Sequence, residues 1–202
     1  MYDAEDDPYC YPGTTVLRNV LDLRNQSELD AYEAEITAQR ASEPIPEGDL
    51  DYEHYKAIHH HLFQDVYAWA GEIRHVRIAK HGNAFCYPEY IDDQMEKLFA
   101  EFAEAGHLQD RNAEDFAAAA AHFLAELNAI HPFREGNGRT QLSFLTLLAE
   151  QAGHPLSIEH LDPRQILQAT IASFGGNEAQ LAAVISELIS LSPPDERPEQ
   201  ED

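Results

Sequence analysis

Nine consecutive residues, His131-Pro132-Phe133-Arg134-Glu135-Gly136-Asn137-Gly138-Arg139, bring together an imidazole, a carboxylate, guanidinium groups and a glycine-rich turn. An imidazole with an ordinary pKa near ~6.5 can take a proton from a hydroxyl at neutral pH. A carboxylate suits a hard cation that also takes phosphate oxygens. The glycines around Asn137 permit positive φ, so successive N–H groups can point at one anion. Those N–H groups would open the following helix, whose positive dipole end adds to an anion site. Pro132 ends the preceding helix and leaves His131 at its exit, where the ring can project into a cleft. Each feature alone is common in a helix connection. Together they exceed what a connection needs, and two arginines stand out in a chain of formal charge -24.

The elements that must hold this stretch are mostly helical. Phe116, Phe123, Leu124, Leu127 and Ile130 mark a long Ala-rich helix before it, opened by Asn112 with Asp115 three residues later, a capping-box spacing. Leu142, Leu145, Leu147 and Leu148 mark a helix from Arg139 to Gln151 after it, closed by Gly153 and Pro155. Earlier, Val16 to Leu23 followed by Leu29, Tyr32 and Ile36 give a helical pattern that ends at Pro44, Pro46 and Gly48. Asp49 or Asp51 can cap a helix whose apolar stripe runs from Tyr55 to Trp69. Further helices are expected over Tyr90 to Glu104, Asp162 to Ser173 and Glu178 to Leu191. One hairpin is predicted, from the alternation over Glu72 to Ile78, a turn at His81-Gly82-Asn83 and a second arm from Ala84 to Tyr87. Pro88 limits that arm, which favours an exposed flap over a large sheet. The fold class is therefore mainly α, a helical bundle with one β-hairpin.

Length and composition bound the rest. At 202 residues, residues 1–192 are read as one domain with an irregular N-terminal lead-in, and 193–202 as an acidic, Pro-rich, disordered tail. Thirteen Lys and Arg against 37 Asp and Glu disfavour direct binding to nucleic acid or an anionic membrane. Cys10 and Cys86 make no disulfide framework. The acidic N-terminus is unlike a secretory leader and no apolar run reaches a membrane span, so a cytoplasmic location is expected. His59-His60-His61 occupy different faces of one helix and lack metal-site spacing, so core and surface placements are expected for them.

The stretch from His131 to Arg139 resembles the signature of the Fic family, HxFx(D/E)GNGRxxR. The resemblance extends to Asp7 to Gly13, to Ile58 through Arg74 and to the flap ending in Ile78-Ala79-Lys80, segments similar to bacterial stand-alone Fic proteins over nearly the whole chain. It implies the Fic fold and transfer of AMP from ATP to a hydroxyl side chain of a target protein. On that resemblance His131 is the general base and Glu135 holds Mg2+ bridging the α- and β-phosphates. Gly136, Asn137 and Gly138 bind those phosphates, through backbone N–H groups and the Asn side-chain amide, and Arg139 neutralises the departing side. Phe133 anchors the loop in the core. Arg134 stands at a variable position, facing solvent or reaching the nucleotide. The hairpin corresponds to the flap that aligns the target as an added strand, with Lys80 and Phe85 positioning it; read instead as a small structural hairpin packed on the helices, it would carry Arg74, Arg77 and Lys80 as its solvated face.

Where the pattern has a second arginine, three residues after Arg139, this chain has Leu142. In the family that arginine contacts the γ-phosphate and pairs with an inhibitory glutamate. Leu142 leaves open a non-catalytic or impaired nucleotide-binding module, and transfer of another nucleotide is a further alternative. The family's inhibitory motif, (S/T)xxxE(G/N), is approached only by Ser42 to Gly48, which is one residue too long and interrupted by Pro44 and Pro46. The resemblance thus implies a toxin-like enzyme restrained by a separate small antitoxin carrying the glutamate. It also suggests the ATPase subunits of DNA gyrase and topoisomerase IV as targets. Five of the 13 Lys and Arg, namely Arg74, Arg77, Lys80, Arg134 and Arg139, fall in the flap and the signature stretch.

Overall fold

A computed structural model describes residues 7–80 and 83–192. Among these the α-helices are α1 (Gln26–Ala41), α2 (Tyr52–Phe63), α3 (Ile91–Glu104), α4 (Ala113–Ile130), α5 (Asn137–Gln151), α6 (Pro163–Phe174) and α7 (Ala179–Ser190). Strands β1 (Ala79–Lys80) and β2 (Asn83–Ala84) pair antiparallel, Ala79 opposite Ala84 and Lys80 opposite Asn83. The mainly helical reading with one hairpin is borne out. The chain divides into two compact units, Met1–His107 with Glu126–Leu145, and Leu108–Ala125 with Thr146–Asp202. Helices α4 and α5 each contribute to both. The tail read as disordered lies outside the described residues, as do His81 and Gly82 of the expected turn.

In the first unit the core is aromatic. The Tyr55 ring on α2 is fully buried and meets Phe133 at 5.6 Å, Phe144 at 5.5 Å and Phe99 at 5.8 Å between centroids. Asp51 caps α2 by accepting the His54 N–H at 2.8 Å. This helix ends at Phe63, short of the expected Trp69: the N–H groups of Val66 and Tyr67 both turn back to the Phe63 carbonyl. Residues 16–24 are also not helical, which corrects the expected continuation into α1. The Asn19 amide donates to the carbonyls of Leu17 and Leu23 and accepts the Leu23 N–H at 2.9 Å, drawing that backbone out of any helical ladder. Helix α1 then starts behind Asn25, which accepts the Glu28 N–H.

The hairpin is shorter than the alternation suggested, and its inner face is not the apolar one. Arg74 is buried with Ile78, while Ile73 and Val76 are only half-buried. The second unit contains the α6·α7 pair. Asp162 caps α6 with Pro163 at the first helical position, and the Ser157 N–H reaches the Leu188 carbonyl at 3.1 Å. Asn112 and Asp115 satisfy each other as expected, with the Asp115 N–H donating to Asn112 Oδ1 at 2.9 Å. No described helix is long and apolar enough to cross a membrane.

Candidate active site

Helix α4 delivers His131. The His131 N–H still donates to the Leu127 carbonyl at 2.9 Å, but its φ is +52°, a left-handed conformation that costs an L-residue about 1–2 kcal/mol. Pro132 accounts for the end of the helix, because proline disfavours the α region for the residue before it. The conformation is held from outside the loop by Arg74. Its Nε donates to the His131 carbonyl at 2.9 Å, its Nη2 to the carbonyls of Ile130 at 3.2 Å and Cys86 at 2.6 Å, and its Nη1 to Val76 at 2.7 Å. Arg74 therefore does not belong to a solvated flap face. It is wholly buried.

The imidazole of His131 is buried too. Its Nδ1 lies 3.2 Å from the Asn128 carbonyl. A carbonyl can only accept, so Nδ1 carries the proton and Nε2 the lone pair. Phe85 stacks on the ring at 4.0 Å with 19° between planes. Burial, reinforced by the nearby Arg74 and Lys80 cations, pushes the His131 pKa down to about 3. The ring is thus a neutral proton acceptor across the physiological range.

The loop beyond is braced by aromatic packing and by one amide. Phe133 is fully buried and stacks on His59 at 3.7 Å, so its expected anchoring role matches its position. The Asn137 side chain donates to the Phe133 carbonyl at 2.8 Å and accepts the Phe133 N–H at 3.0 Å. Its amide is thereby committed to the loop, which counts against the expected side-chain contact with phosphate. Gly136 has φ +84°, and a Cβ there would sit 2.3 Å from the Phe63 ring. Helix α5 begins at Asn137, so the N–H groups of Asn137, Gly138 and Arg139 lie in a first turn that the helix itself cannot satisfy. Gly138 is exposed, and a Cβ there would meet nothing within 4 Å.

The charged side chains separate by role. Arg139 Nη2 donates to Glu33 Oε1 at 2.6 Å, Nη1 donates to Thr37 at 3.1 Å, and the guanidinium lies 4.6 Å above the Phe63 ring. Tyr67 donates its hydroxyl to the other oxygen of Glu33. Glu135 is half-buried, accepts the Gly136 N–H at 2.9 Å and lies 3.8 Å from Arg139. Arg134 neither faces solvent nor turns to this cluster. Its side chain is 4% exposed and ion-paired with Asp7 at 2.6 Å, tying the N-terminal lead-in to the loop. Phe85 stands at the His131 ring. Half-buried Lys80 contributes positive charge there from β1.

For the run His59-His60-His61 core and surface placements are expected, and His59 takes the core place. It is fully buried, and it is also a support of the site: its Nε2 donates to the Glu135 carbonyl at 3.1 Å while Nδ1 accepts the Gly71 N–H at 2.8 Å. Burial lowers its pKa to about 3, so it stays neutral. Its spacing from Tyr55 and Phe63, four residues each way, puts it on the buried stripe of α2, which was the available signal.

The model of the Fic/DOC family matches residues 49–149, which include the whole His131 to Arg139 loop. The chain belongs to the Fic/DOC family. "Probable protein adenylyltransferase y4lH" of Sinorhizobium fredii is 53% identical over 93% of this chain and 98% of its own length. "Probable protein adenylyltransferase Fic" of Escherichia coli is 35% identical over 91% and 92%. Among solved structures, the N-terminal Fic domain of a putative cell filamentation protein from Bartonella quintana, with bound ADP, superposes with a TM-score of 0.80 at 26% identity. It covers 89% of this chain and 93% of that one. The type IV secretion system effector BepA gives a TM-score of 0.81 at 30% identity, covering 89% and 67%.

The two loop glycines of this Fic chain should respond differently to alanine. Gly138→Ala lies in the first turn of α5 with open space around it, so thermal stability should hold or rise by up to ~1 kcal/mol in helix propensity, while a fluorescent ATP analogue binds at least about tenfold more weakly. Gly136→Ala meets Phe63 and a positive φ, and should lower stability by about 1–3 kcal/mol as well. Melting curves beside the binding titration check this. Unchanged nucleotide affinity in Gly138→Ala would remove the α5 N-terminus from the site.

Proposed function

We propose that this Fic-family chain is a protein adenylyltransferase that transfers AMP from ATP to a hydroxyl side chain of a target protein. The observation that carries the reading is the neutral, tautomer-fixed imidazole of His131, held six residues before the N-terminus of a helix opened by the Gly136-Asn137-Gly138 turn. In the step proposed, the target oxygen attacks the α-phosphorus, and its proton passes to His131 Nε2. The bond from the α-phosphorus to the bridging oxygen breaks, and pyrophosphate leaves. Backbone N–H groups at the start of α5 receive the α- and β-phosphates, and Arg139 offsets charge on the leaving side. Arg134 contributes by tying the loop to Asp7.

Glu135 fits a Mg2+ ion by its chemistry. Among the described residues no three His, Cys, Asp or Glu side chains converge, and a single half-buried carboxylate is the donor set of a cation that completes its shell with substrate phosphates and water. When bound, the ion would supply Lewis-acid neutralisation of the phosphate oxygens. The hairpin would align the target, with Lys80 and Phe85 at the contact. A separate antitoxin is the proposed restraint, supported by residues 42–50, which form no helix that could present Glu47. Toxin-like action in the cytoplasm on the ATPase subunits of DNA gyrase and topoisomerase IV extends the same reading.

The test is transfer of label from α-labelled ATP to these subunits and to bacterial lysate, with the adduct mass read on the modified peptide. An adduct of another nucleotide would change the donor, and no adduct with normal ATP binding would leave a binding module. Leu142, half-buried one turn beyond Arg139 on α5, specifically favours that second reading. Leu142→Arg should tighten ATP binding about tenfold, ~1.4 kcal/mol, and raise the transfer rate. Unaltered affinity would show that the γ-phosphate does not approach this position.

A further inference from the structure

The contacts of Arg74 exceed what a flap residue requires. Four main-chain carbonyls surround its guanidinium, those of Ile130 and His131 at the exit of α4 and those of Val76 and Cys86 on the two arms leading to and from the hairpin. The carbonyls at the end of α4 are among those a helix leaves unpaired, and the negative end of its dipole favours a cation. The backbone strengthens the same link. The Arg74 N–H donates to the Pro132 carbonyl at 2.9 Å, and the Cys86 N–H donates to Ala129 at 3.1 Å. Next to Cys86, Phe85 lies flat against the His131 ring.

We propose that Arg74 is a positioning residue of the transfer reaction, which fastens the end of α4 bearing His131 to the return arm of the hairpin bearing Phe85. Base and target-aligning strand then keep one geometry. The inference rests on the reading of His131 as the base. It adds that the orientation of this base is set by a residue 57 positions earlier in the chain. Arginine suits the task because its planar fork carries five N–H donors in fixed directions. A lysine ammonium offers three from one atom and cannot span four carbonyls on separate segments.

Arg74→Lys, which keeps the charge and most of the stem, is the principal variant, and Arg74→Met removes both charge and donors. Three quantities decide: the initial rate of label transfer from α-labelled ATP into lysate protein at saturating ATP, the affinity for a fluorescent ATP analogue, and the 15N signals of the His131 ring, assigned by their loss in His131→Ala. Arg74→Lys should bind the analogue normally, show a shifted His131 ring signal and transfer about 10²-fold more slowly, the effect of a displaced catalytic group. Arg74→Met should transfer more slowly still if it folds. Wild-type transfer with an unmoved ring signal in Arg74→Lys overturns the proposal, as does a parallel loss of rate and ATP affinity. Full transfer by His131→Ala overturns the base assignment instead, and a shifted ring signal in Arg74→Lys would then still uphold the tie.

Discussion

His131→Ala is expected to transfer AMP about 10²–10⁴-fold more slowly than the parent enzyme, the range lost with a positioned general base. ATP binding should survive, because the N–H groups of α5 and Arg139 are untouched. A second consequence separates the ring from its surroundings. His131 has a pKa of about 3 in the folded protein against an ordinary value of 6.5, with burial as the chief cause. Between those two values the unfolded chain takes up a proton that the folded chain does not. The stability associated with the neutral ring is therefore fully present above pH 6.5 and is lost as pH falls toward 3. His59 has the same sign and window. Removing one of the two rings should make unfolding free energy less steep in pH by roughly 1.4 kcal/mol per unit in the acid range. Denaturant titrations of parent and His131→Ala at several pH values below 6.5 give that difference. Parallel curves would mean that the folded ring titrates as it does in the unfolded chain and is not held neutral by burial.

Arg139→Ala is expected to lower the rate by about 10²–10³-fold, as when one preorganised donor to a developing anion is lost, and to weaken ATP binding. Arg139 has two duties in the structure. Its Nη2 holds Glu33 and its Nη1 holds Thr37, so the guanidinium is oriented from α1 before any phosphate arrives. Removal also leaves Glu33 facing Tyr67 without its cation, with 14% of the glutamate side chain exposed. Arg139→Lys should recover only part of the rate, because a point charge cannot reproduce the planar fork shared between Glu33 and Thr37. Steady-state kinetics in ATP with the three proteins separate the effects on binding and turnover. A lysine variant at the parent rate would show that charge alone suffices.

Both residues are legible in the sequence because the signature that singles them out is local. Pro132 ends α4 wherever α4 packs, and Gly136 can take a positive φ whatever surrounds it. Asp51 and Asn112 cap helices through hydrogen bonds to residues three positions on, and the sequence displays that spacing directly. The alternation over Glu72 to Ile78 misled because periodicity assigns apolar residues to the buried face, and here a cation takes that face to satisfy the carbonyls at the end of a helix.

The charge pattern shows the same division. Five cations fall in the flap and signature loop, but Arg74 and Arg134 are buried in the supports of the loop. Arg77 is paired with Glu89 at 2.9 Å. Lys80 and Arg139 are the members of that set left beside His131 and the start of α5.

By itself the sequence determined the loop chemistry, the helices that flank it and the family they belong to, because caps, breakers and signature residues act over a few positions. Only the tertiary structure decided the partners of the charged residues. Arg134 finds Asp7 across 127 positions, Arg139 finds Glu33 across 106 and Arg74 finds His131 across 57. Such pairings depend on where separate elements come to rest. A guanidinium is equally compatible with solvent, a phosphate or a buried carbonyl until packing removes the water and leaves one of them within reach.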